Sequence, residues 1–83
     1  MNQTKATLPL AEILTSMESV TSALRREDEE QTRHLQTRVI EQLRTRPLDS
    51  CDRMILGQVL NRIRKLMGSA TFVRDVESRL SAT

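Results

Sequence analysis

The sequence has little of what catalytic and cofactor-binding folds usually need. Its 83 residues hold one aromatic side chain (Phe72), two glycines, two prolines, one cysteine and one histidine. A lone Cys51 cannot form an internal disulfide, which predicts a reducing, cytoplasmic setting. Two glycines, Gly57 and Gly68, are too few and too isolated for a phosphate-cradling loop or a dinucleotide turn. One histidine without a second Cys or His argues against a transition-metal site. The missing aromatics remove the stacking platforms that single-stranded nucleic acids use. No apolar run approaches the roughly 18 residues of a membrane span, and no secretory leader is expected from the opening residues. No nucleophile–base–acid set is apparent, so no catalytic residue, cofactor, metal or small-molecule substrate is expected.

What is present is helical. Hydrophobic types make up 37% and charged types 29%, a globular balance, and the length predicts one domain, 7–83, behind a polar tail, 1–6. The 13 basic and 11 acidic residues nearly cancel, leaving +2, so overall charge dictates no partner. Its distribution is uneven, however. Residues 1–31 carry three basic against six acidic groups, net −3, and residues 32–83 carry ten against five, net +5. Such halves can attract each other within the fold or between protomers, or the basic half can face an acidic partner. Eleven of the basic residues are arginine, which codon usage in a GC-rich genome explains most simply.

Leu10, Ile13, Leu14, Met17, Val20 and Leu24 recur at three- and four-residue spacing, an amphipathic helix with Thr7 as cap, Pro9 in its first turn and Ser16 off the apolar stripe. Arg25–His34 then contains no apolar side chain and no Gly, Pro, Asn or Ser to mark a loop. Its i,i+4 pairs Arg25–Glu29, Glu29–Arg33 and Glu30–His34 favour a solvated helical continuation. Leu35, Val39, Ile40 and Leu43 restore the stripe up to Pro47, which stops the helix. Two arrangements fit. One is a continuous helix over about 8–45, on the order of 55 Å long at 1.5 Å per residue. The other breaks near 28–32 and gives a compact four-helix unit.

Asp49-Ser50-Cys51-Asp52 reads as an N-cap with an acidic first turn. Met54, Ile55, Leu56, Val59, Leu60, Ile63, Leu66 and Met67 then form a broad apolar face, and Gly68 is placed to end it in the left-handed conformation. A last helix, capped by Ser69 or Thr71, carries Phe72, Val73, Val76 and Leu80. The fold class is all-α: a small bundle of three to four helices, with a hairpin of about 50–67 and 70–81. Gly57, costly inside a helix, would be explained by close approach of another helix.

Cys51 and His34 lie in different segments, so Cys51 reads as a small first-turn residue and His34 as a surface residue beside Glu30. Glu27, Asp28, Glu29 and Glu30 point in four directions on a helix and cannot converge on one ion. They read as a solvated face, or secondarily as a docking surface for a basic partner. Met17, Met54 and Met67 read as adaptable core fillers.

In general shape the helix, Pro47 turn and second helix are similar to small helical bacterial or phage proteins, among them secretion-system chaperones and small inhibitors of host complexes. The pattern is generic, and no residue role is carried over from it. The expected function is a non-enzymatic protein–protein interaction module (chaperone, adaptor or inhibitor). It would bind another protein through an apolar helical groove at Met54, Leu56, Leu60, Arg64 and Met67, and complete its burial as a homodimer. The alternative is a small nucleic-acid-binding regulator using Arg53, Arg62, Arg64, Lys65 and Arg74 on phosphates.

Overall fold

A computed structural model describes residues 9–81. Thr7 and the predicted tail lie outside them. Among the described residues the chain is all-α, with four helices: α1 (Leu10–Arg25), α2 (Glu29–Thr45), α3 (Ser50–Met67) and α4 (Thr71–Ser81). α1 packs on α2 and α3, and α4 packs on α3 and α2. No Cα atoms of α2 and α3 come within 8 Å, so the helices run in the ring order α1, α2, α4, α3. The body measures 43 × 24 × 16 Å with a radius of gyration of 13.0 Å, somewhat above the roughly 12 Å expected for a rounder domain of this length.

The continuous helix over 8–45 does not form. α1 ends in a Schellman turn, in which the Glu27 N–H donates to the Leu24 carbonyl (3.0 Å) and the Asp28 N–H to the Ala23 carbonyl (3.1 Å). Glu27 takes the left-handed position usually given to glycine, at φ 59°. Asp28 then caps α2, its carboxylate accepting from the Gln31 N–H at 3.1 Å. The acidic run that resembled a solvated helix therefore holds a turn, a cap and the first turn of the next helix, where negative charge suits the helix dipole.

α2 ends at Thr45, and Arg46 is extended (φ −126°, ψ 127°), as a residue before proline must be. The guanidinium of Arg46 donates to the Asp52 carboxylate at 3.1 Å, which ties the end of α2 to the start of α3 across the Pro47 turn. Asp49 and Asp52 form the capping box, with the Asp52 N–H donating to the Asp49 carboxylate at 2.7 Å. α3 stops at Gly68, at φ 67°. α4 opens with Ala70 before its first residue, so neither Ser69 nor Thr71 occupies the cap position.

The core joins Ile13, Met17, Val20, Val39, Leu43, Leu56, Val59, Leu60, Ile63, Phe72, Val73 and Val76. Ser16 is also buried, contrary to its expected place off the apolar stripe. With Ala23 and the buried Thr32 it lets α1 and α2 approach closely where large side chains would hold them apart. No helix approaches Gly57: a Cβ there would meet nothing within 4 Å.

Candidate interaction face

α3 is held between α1 and α4, and this decides the fate of the predicted groove. Leu56 and Leu60 are buried in the core at 0% and 2% exposure. Met67 packs partly against the same core and receives the Gln36 amide N–H on its sulfur at 3.9 Å. Arg64 is ion-paired with Glu77 on α4 and donates to the Asn61 side-chain carbonyl at 2.6 Å. The groove is thus filled by the chain's own helices: an apolar stripe wide enough to receive a partner is also wide enough to be the core. Of its five residues only Met54 is exposed, and this methionine is not a core filler.

A different face of α3 takes its place. Met54 and Leu66 are the exposed large hydrophobic side chains among the described residues, at 60% and 47%. They end one surface row of α3, about 120° apart around the helix, with the exposed Gln58 and Arg62 between them and half-buried Ile55 in the same helix. Leu66 and Arg62 border a cleft of about 230 Å³ against α1, which contributes Glu18, Thr21 and Arg25. Periodicity alone did not separate these residues from the core, because Met54 and Leu66 sit on the edges of one broad stripe. Only the positions of α1 and α4 show which edges stay uncovered.

The proposed phosphate contacts are partly consumed. The Arg53 guanidinium donates to the Leu48 carbonyl at 3.2 Å, and Arg64 is paired with Glu77. Arg62, Lys65 and Arg74 are exposed. The carboxylates Glu27, Asp28, Glu29 and Glu30 are all exposed at the α1–α2 turn, with Asp28 engaged as a cap. The hydrogen bond from Arg46 holds the Asp52 carboxyl below its ordinary value, helped by the Asp49 N–H and opposed by burial.

No reactive pair is assembled. Cys51 is exposed in the first turn of α3. His34 lies in α2, more than three helical turns before Arg46, which meets the first turn of α3 at Asp52. A cleft of about 550 Å³ between α1 and α2 is bordered by Glu12, His34, Arg38 and Glu41 without a convergent set. Among the described residues no group of three or more His, Cys, Asp or Glu could hold a metal ion, and no helix is long and apolar enough to cross a membrane.

Comparison of the chain with protein-family models, with curated proteins and with solved structures finds no match in any of the three.

Proposed function

We propose that the chain is a non-enzymatic protein–protein interaction module, of the adaptor, chaperone or inhibitor kind, that binds through the outer face of α3. One observation carries the reading. Every other large apolar side chain among the described residues is at least partly covered, while Met54 and Leu66 stay exposed at the two ends of one surface row of α3. Two apolar anchors flanking polar residues match the make-up of an interface, where a few buried anchors supply the energy and charged neighbours set specificity.

The test is capture from the native lysate with tagged protein, with and without nuclease, comparing the wild type with Leu66→Asp. Because Leu66 is exposed, the variant should keep its helical circular dichroism, which Leu60→Asp would not. A stoichiometric protein that survives nuclease and is lost with Leu66→Asp supports the module. A captured set that vanishes with nuclease instead points to Arg62, Lys65 and Arg74, whose binding would weaken by nearly one log unit per phosphate contact per decade of salt.

A further inference from the structure

Met54, Gln58, Arg62 and Leu66 are spaced by four along α3 and so form one continuous ridge on its surface. The ridge has a property its composition alone does not suggest. Reversing its direction places Met54 on Leu66 and Gln58 on Arg62, so it is complementary to itself about a two-fold axis lying between Gln58 and Arg62. The ends are apolar and exposed. The middle residues are exposed and have no hydrogen-bond or ion-pair partner among the described residues.

Resting on the interaction reading above, we propose that the occupant of this face is a second copy of the chain, with α3 packed antiparallel against α3. In that arrangement Met54 of each protomer covers Leu66 of the other, and the Arg62 guanidinium donates to the partner Gln58 side-chain carbonyl. The two copies of the ridge run parallel to each other when the helices cross at about 50°. A parallel arrangement would set Arg62 against Arg62, a like-charge contact that disfavours that register. An isologous contact of this kind closes at the dimer and leaves no open end for further growth.

Charge distribution supports the same occupant. The ion pairs Arg46–Asp52 and Arg64–Glu77 both lie within the basic half of the chain. None of the acidic groups of residues 12–30 is ion-paired, so the opposite charges of the two halves are not consumed inside the protomer. Glu18 borders the same cleft as Arg62 and Leu66. A second copy laid along α3 brings a further Glu18 carboxylate to the rim of the face, where complementary charge favours encounter.

The test is sedimentation equilibrium of the full chain from micromolar to millimolar concentration, with cross-linking to fix the register. The wild type should form a concentration-dependent dimer. Leu66→Asp, with unchanged circular dichroism, should raise its dissociation constant by on the order of 100-fold, because the anchor is lost twice per dimer. For the register, C51S/M54C and C51S/L66C chains are treated with a short bis-maleimide. Cross-linked dimer should form when the two are mixed and not when either is alone. A wild type that stays monomeric overturns the proposal, as does a dimer that Leu66→Asp leaves intact, or one in which C51S/M54C cross-links to itself. A monomeric wild type whose Leu66→Asp variant still loses its captured protein would remove the dimer and leave the interaction reading standing. Loss of neither would overturn both.

Discussion

The turn at Arg26–Asp28 and the turn at Gly68–Ala70 both reverse the chain within three residues, and both pass through a positive φ, 59° at Glu27 and 67° at Gly68. In sequence they have nothing in common. Gly68, with ψ −138°, occupies a region that is essentially reserved for glycine, so the residue itself announces the stop. Glu27 accepts a left-handed conformation at a cost of about 1–2 kcal/mol. That cost is outweighed by burying Val39 and Leu43, each worth roughly 1.5–3 kcal/mol once α2 lies against α1. One turn is written locally, and the other is imposed by what lies on either side of it.

The largest effect that would break this contrast is at Gly68. A Cβ there meets nothing within 4 Å, so Gly68→Ala tests the backbone alone, and it should lower unfolding free energy by about 1–3 kcal/mol in urea titration. A change indistinguishable from zero would mean that the turn relaxes and that glycine is not its cause. The same substitution at the other glycine should have the opposite sign. Gly57 lies inside α3 with open space around its Cα, so Gly57→Ala should stabilise by about 0.5–1 kcal/mol. Destabilisation would show that something packs there after all.

Glu27→Gly sharpens the comparison from the other side. It should stabilise by about 0.5 kcal/mol, the relief of left-handed strain less the added freedom of the unfolded chain, with helical content unchanged. A loss of stability would show that the Glu27 side chain, not the backbone, holds the turn.

The smallest effect concerns the third connection, where Arg46 and Asp52 bridge the Pro47 turn. The Asp52 carboxyl titrates below its unfolded value near 3.8. Its contribution is therefore present above that value and lost as pH falls through the lower, folded one. In Asp52→Asn this contribution is missing, so the melting-temperature gap between wild type and variant should narrow from about pH 5 to pH 2. A gap that stays constant would assign the role of Asp52 to the cap geometry instead of its charge.

Much of the fold was legible from side-chain spacing. The limits of α3 followed from the Asp49–Asp52 cap and Gly68, and the end of α2 from Pro47, because each of these signals acts on the backbone within a turn. A break near 28–32 was one of the two arrangements the sequence allowed, and it falls at 26–28; side-chain spacing did not choose between them because no glycine marks the turn. The usable signal was Asp28 followed three residues later by Gln31, a cap pattern hidden inside a run of charges. The site was less legible. Leu56 and Leu60 were the obvious apolar anchors, and for the same reason they became core. Met54 and Leu66 belong to the same stripe and differ from them only in lying beyond the reach of α1 and α4.

The sequence by itself determined that this protein is all-α, where α3 and α4 lie, and that α3 carries a broad apolar face. These follow from periodicity, caps and breakers, all of them interactions within a few residues of chain. Only the tertiary structure decided that the first apolar region splits in two, that α2 and α3 sit across the ring from each other, and that the ridge from Met54 to Leu66 faces outward. A helical pattern specifies that a face is apolar, whereas which part of that face is covered depends on where distant helices pack.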